Sequence, residues 1–216
     1  MYHFQYVPKR LWTPFRNEII ELLHDVQNDL REKFTFQYQL IGSASRNMVT
    51  MDPETNIGFD FDFNIIINDP DLFPPKQFKE MLISRINKHS SKYGYDPAED
   101  STRVITIKVK DRKNSKILHS VDFATVYNDT DDDGYECQYY IHNDKPTGRY
   151  LWEEQPSGYY ELPDKINFCK ENDLWNSEVK PLYLQNKNKN KNPHIKSRSI
   201  FSQTLNTICQ RNGYSD

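Results

Sequence analysis

The stretch "FDFDFNIII" at residues 59–67 sets two aspartates, Asp60 and Asp62, among phenylalanines with a period of two. A period of two is the signature of a strand, in which alternate side chains face the same way about 6.5–7 Å apart. Asp60 and Asp62 therefore project side by side, while Phe59, Phe61 and Phe63 face the opposite, core side. The run of isoleucines that follows is typical of a central strand covered on both faces. Carboxylates are depleted in strands, so a pair on one face of this one calls for an explanation.

The flanking chain supplies the frame. Residues 14–33 carry apolar side chains at helical spacing, from Ile19 to Leu30, with Thr13 and Pro14 suited to an N-cap and first turn. "FTFQYQLIG" (34–42) alternates and reads as a strand ending at Gly42, and "SASRN" suits the first turn of a short helix. Residues 50–58 form a loop with Pro53 and Gly58, and a second helix spans 75–89, with Phe78, Met81, Leu82 and Ile86 on one stripe. Strands follow at 103–111, 116–127 and 135–143. The expected fold is α+β: a mixed β-sheet flanked by helices. Beyond residue 144, "DKPTGRYLWEEQPSGYYELP" is loop-like, with Trp152 and Tyr159–Tyr160 as anchors. Residues 164–185 and 199–211 have the pattern of two amphipathic helices.

Bulk properties narrow the function. The chain has 216 residues, enough for a buried core, with 14 Tyr, 12 Phe and 3 Trp. A net charge of -3 gives no support for binding DNA through a general positive field. Cys137, Cys169 and Cys209 are scattered and odd in number, and the six His form no ligand-spaced cluster, so neither a disulfide framework nor a zinc knuckle is indicated. No apolar run reaches bilayer length and "MYHFQYVPKR" lacks an apolar signal core, so a cytoplasmic protein without a membrane partner is expected.

A third acid, Asp122, stands alone in the apolar strand "ILHSVDFATV". If the strands carrying Asp60, Asp62 and Asp122 pair, the three carboxylates converge. Two ionised carboxylates about 4 Å apart repel by roughly 4 kcal/mol at an effective dielectric of about 20, so such a cluster persists by taking up protons or cations. Oxygen ligands with no His or Cys beside them suit Mg²⁺ or Mn²⁺. Two such ions roughly 3.5–4 Å apart can clamp a phosphoryl displacement. Upstream, "LIGSASRN" places Gly42 and Ser43 at a strand end before a helix N-terminus, where backbone N–H groups attract anions. The Ser43 hydroxyl can donate to a phosphate oxygen, with Arg46 one turn on. A phosphate cradle beside a carboxylate patch describes a nucleoside triphosphate (NTP) site.

"IGS" (41–43), "DFDF" (60–63) and the isolated strand acid Asp122 together resemble the polymerase-β-like nucleotidyltransferase superfamily over about residues 15–127, and most nearly its bacterial second-messenger-synthase-like members. The resemblance implies a nucleotidyltransferase fold with a catalytic core over residues 1–145 and a short C-terminal loop and helical extension, 146–216, packing on it. It implies two Mg²⁺ or Mn²⁺ ions held by Asp60 and Asp62, with Asp122 completing the metal site and helping to activate the incoming hydroxyl. Gly42 and Ser43, helped by Arg46, would hold the triphosphate of ATP or another NTP. The implied reaction moves a nucleoside monophosphate to a hydroxyl and releases pyrophosphate. The acceptor is left open among a nucleotide, RNA, a protein and a small alcohol. The chain departs from the superfamily pattern in a longer spacer between Ser43 and Asp60 and in a short C-terminal helical region.

Other readings stand beside this one. A catalytically silent nucleotide- or partner-binding protein of the same fold is the alternative. A nuclease would need a Lys or His within the strand pair, for which Lys108 and His119 are loose candidates. "DTDDDG" (129–134) mimics the start of a calcium loop, but its twelfth position is Tyr140, so a hairpin turn is the better reading. "NKNKNKNPHIKSR" (186–198) reads as an inter-helix loop whose Lys187, Lys189, Lys191, Lys196 and Arg198 could also meet phosphates.

Overall fold

The computed structural model describes residues 2–55, 57–114, 116–192 and 194–214. Asn56 in the loop 50–58, Ser115 between two of the expected strands and Pro193 in the basic tract lie outside them. The chain divides into two compact units, residues 6–50 with 56–155, and residues 1–5 and 51–55 with 156–216.

In chain order the strands are β1 (Gln5–Tyr6), β2 (Phe36–Ile41), β3 (Thr50–Met51), β4 (Phe59–Ile67), β5 (Glu99–Asp100), β6 (Val104–Asp111), β7 (Lys116–Thr130), β8 (Glu136–Asp144) and β9 (Arg149–Glu154). The larger unit is built on a seven-stranded mixed sheet with the order β2-β4-β7-β6-β5, to which β8 adds along β7 and β9 along β8. The pair β4 and β7 is parallel and every other described pair in this sheet is antiparallel. A parallel pair needs a long crossover. Helix α3 (Pro75–Ser90) and strands β5 and β6 lie within it.

One face of the sheet is the core. Phe61, Phe63 and Ile65 of β4 and Val121 and Phe123 of β7 are at most 1% exposed. Helix α1 (Lys9–Leu30) covers them, with Trp12 edge-on to Phe61 at 6.1 Å and Phe15 5.6 Å from Phe59. Helix α3 joins through Phe78, which packs on Phe34 at 4.9 Å and on Trp152 of β9 at 6.2 Å. His119 lies on this same face, stacked on Phe59, with its Nε2 3.0 Å from the Tyr95 hydroxyl. Burial lowers its pKa to about 4, so the imidazole is neutral there.

Several boundaries differ from expectation. Helix α1 begins at Lys9, a turn before Thr13, and Pro14 lies inside it. Pro14 removes a single backbone bond near the helix start, where few N–H groups have partners. Burial of Trp12 on the extra turn outweighs that loss. Residues 149–154, expected to be loop, form β9: Trp152 sits on the core face while Glu153 accepts from the Tyr140 hydroxyl across the pair at 2.6 Å. "DTDDDG" is a hairpin turn between β7 and β8, in which the Asp131 carboxylate accepts the N–H groups of Asp133 and Tyr135.

The smaller unit holds α4 (Ser157–Tyr160), α5 (Leu162–Glu171), a π-helical turn at Trp175–Val179, α6 (Lys180–Lys189) and α7 (Ser197–Arg211). The single helix expected over 164–185 is broken at Asp173, which adopts a left-handed backbone (φ 59°) that Asp tolerates better than most residues. Trp175, Tyr183 and Phe201 form its core with the buried Cys169 and Cys209. The basic tract is not all loop: α6 runs through Lys189, and the Asn188 side chain accepts from the Phe4 N–H at 2.6 Å and donates to the Phe4 carbonyl at 3.1 Å. Among the described residues no helix is long and apolar enough to cross a membrane.

Candidate active site

The face of the sheet opposite the core carries the acids. Asp60 is exposed and Asp62 half-buried, whereas their neighbours Phe59, Phe61 and Phe63 are buried, as alternation requires. On β7, Asp122 is the register partner of Asp62, and Ser120 that of Asp60. Paired residues of adjacent strands lie on the same side, so Asp62 and Asp122 stand on neighbouring strands about 4.8 Å apart. The Ser120 hydroxyl donates to Asp60 Oδ1. The structure thus brings Asp60, Asp62 and Asp122 to one face, although they are separated by 60 residues of chain.

Asp122 is held from the other side. Thr106 of β6 is its register partner, and the Thr106 hydroxyl donates to Asp122 Oδ1 at 2.6 Å. Burial pushes the Asp122 carboxyl above its ordinary pKa, and the negative charge of Asp60 adds to the rise, while the Thr106 hydrogen bond opposes it. The nearby Lys108 is committed to Glu99 at 2.6 Å.

Gly42 adjoins this patch. It opens α2 (Gly42–Ser45), directly after β2, whose Ile41 is the register partner of Asp62. Its φ of +66° is left-handed, and a Cβ placed on it would lie 1.9 Å from Asp62 Oδ2. Only a glycine lets the Asp62 carboxylate rest on the backbone here. Ser43 and Arg46 are half-buried on and just after the same turn. The helix is a single turn, so its dipole is weaker than a longer helix would supply. A second close approach sits at the start of β4: a Cβ on Gly58 would lie 2.1 Å from the Leu118 carbonyl oxygen, which brings the strand carrying Asp60 hard against β7.

Oxygen-only donors fit a hard divalent cation. Among the described residues no group of three or more His, Cys, Asp or Glu is gathered tightly enough to hold a metal ion as it stands. Hydroxyl groups engage two of the three acids. Of the loose nuclease candidates, His119 is buried on the core face, whereas Lys108, the register partner of Ser120, lies on the acid face and pairs with Glu99. Sequence reasoning missed Ser120 and Thr106. The available signal was their spacing, one polar residue alternating with apolar ones beside an acid-bearing strand. Asn64, on the acid face of β4, is 2% exposed, and its amide nitrogen has no hydrogen-bond partner among the described residues.

Neither a family model nor a curated protein matches the sequence. Solved structures do. The chain is similar to the STING-associated CdnE c-di-GMP synthase of Capnocytophaga granulosa, with 13% identity over 98% of this chain and 64% of that one, at a TM-score of 0.59. It is similar to CdnC of E. coli MS115-1 with ATP, at 16% identity, 97% and 63% coverage and a TM-score of 0.51. The GTP-bound form of Vibrio cholerae DncV matches at 13% identity, 92% and 52% coverage and a TM-score of 0.54. The chain therefore spans between about half and two thirds of the length of these structures, and at such identities the likeness is one of fold. With its mixed sheet flanked by helices and these neighbours, the chain has a nucleotidyltransferase fold.

Proposed function

We propose that the chain transfers a nucleoside monophosphate from an NTP to a hydroxyl and releases pyrophosphate. The observation that carries this reading is the register of Asp62 with Asp122 on parallel strands, with Gly42 packed against the Asp62 carboxylate. The acceptor class best supported is the hydroxyl of a second nucleotide, because one structural neighbour is a c-di-GMP synthase and another a dinucleotide cyclase.

In this reading Asp60, Asp62 and Asp122 hold Mg²⁺ or Mn²⁺. When bound, such ions neutralise charge on the transferring phosphoryl group and the leaving pyrophosphate. The Gly42 and Ser43 N–H groups and the Ser43 hydroxyl contact the triphosphate, and Arg46 adds positive charge. Asp122, less acidic than an exposed aspartate, accepts the proton of the attacking hydroxyl. The loosely gathered acids favour a second reading, nucleotide binding without turnover.

The test incubates the protein with each labelled NTP and follows pyrophosphate. Release is expected with Mg²⁺ and is expected to vanish with a chelator. Tight NTP binding without release would assign the chain to the binding class, and cleavage of a polynucleotide with free NTPs untouched would make it a nuclease.

A further inference from the structure

The reading of Asp122 as a metal-site acid leaves open what keeps its carboxylate aimed. Thr106 is the one hydrogen-bond donor to it among the described residues, at 2.6 Å from Oδ1. Thr106 is 8% exposed and sits directly across the β6–β7 pair, between Ile105 and Ile107, which are fully buried on the opposite face. A valine would fill that volume and suit the strand equally well. The hydroxyl is thus the feature that packing does not require.

We propose that Thr106 is a positioning residue: its hydroxyl fixes the Asp122 rotamer by occupying Oδ1 and leaves Oδ2 turned to the face shared with Asp60 and Asp62. The other nearby donor group, the Lys108 ammonium, is taken by Glu99 at 2.6 Å and is no substitute. A carboxylate that has lost this donor gains rotamer freedom and spends less time in the position where it would share a cation.

This inference rests on the proposed metal-dependent reading, and the experiment separates the two. Mn²⁺ binding to the nucleotide-free protein is titrated by electron paramagnetic resonance for wild type, Thr106→Val and Thr106→Ser, with melting curves for each. Thr106→Val is expected to weaken Mn²⁺ binding about tenfold, the size of a lost hydrogen bond to a charged group, with a native-like melt. Thr106→Ser, which keeps the hydroxyl, is expected to restore most of the affinity. Wild-type Mn²⁺ affinity in Thr106→Val overturns the inference, as does a Thr106→Ser protein as weak as the valine variant. A wild-type protein that binds no Mn²⁺ and releases no pyrophosphate overturns the underlying reading instead.

Discussion

Gly42→Ala is expected to cut pyrophosphate release on the order of 10²-fold, the loss that follows from displacing a reacting group by about 1 Å. The added Cβ would stand 1.9 Å from Asp62 Oδ2 and 2.7 Å from its Cγ, so the carboxylate must swing away or the turn must open. The left-handed backbone at Gly42 (φ +66°) adds strain of about 1–3 kcal/mol for any side chain. That strain falls on a surface turn and leaves the Phe61 and Phe63 core intact, so the protein should still melt cooperatively. Rates taken well below the melting temperature, with thermal melts alongside, separate the two effects. Retained activity in a folded Gly42→Ala protein would mean that Asp62 does not work from the position seen here.

The second large effect is on stability. Lys79 of α3 is 1% exposed, and its Nζ lies 2.7 Å from Asp100 Oδ1 and 2.6 Å from the Ser101 carbonyl. The Tyr150 hydroxyl donates to Asp100 Oδ2 at 2.6 Å, and Asn143 donates to that hydroxyl at 3.0 Å. The network ties α3 to β5, β8 and β9. Burial lowers the Lys79 pKa and Asp100 offsets part of that fall. Lys79→Ala leaves Asp100 without its cation in a partly desolvated setting, a change that typically costs about 3–5 kcal/mol. Urea unfolding measures it, and a loss under about 1 kcal/mol would show that solvent reaches Asp100 once the lysine is gone.

Periodicity is a local signal, and what it governs was legible. The alternation in 59–67 gave the strand, its face and the side on which Asp60 and Asp62 stand; the stripe Phe78–Leu82–Ile86 gave α3. Partner choice is not local. Nothing in residues 116–130 says that Asp122 lies across from Asp62 in a parallel pair, because that register is set by the crossover through α3 and β6 and by the shared Phe63–Phe123 core contact. The resemblance to nucleotidyltransferases supplied what spacing alone did not. The extra turn of α1 was hidden because Pro14 looks like a start, while the burial of Trp12 that overrides it is tertiary. Strand β9 was hidden because "RYLWEE" ends in two acids, Glu153 and the exposed Glu154, and carries little apolar alternation besides Trp152. Thr106 and Ser120 were passed over because a lone polar residue alternating with apolar ones is common in strands and carries no role by itself. Their importance appears only when the opposing carboxylate is known.

The most direct test of the three-acid site is a crystal grown with Mn²⁺ and a non-hydrolysable NTP, with anomalous scattering recorded near the manganese edge. Anomalous peaks in contact with the carboxylates of Asp60, Asp62 and Asp122, and with the triphosphate lying along Gly42 and Ser43, are the expected result. A bound NTP whose metal lies elsewhere, with Asp122 touching no ion, would contradict it.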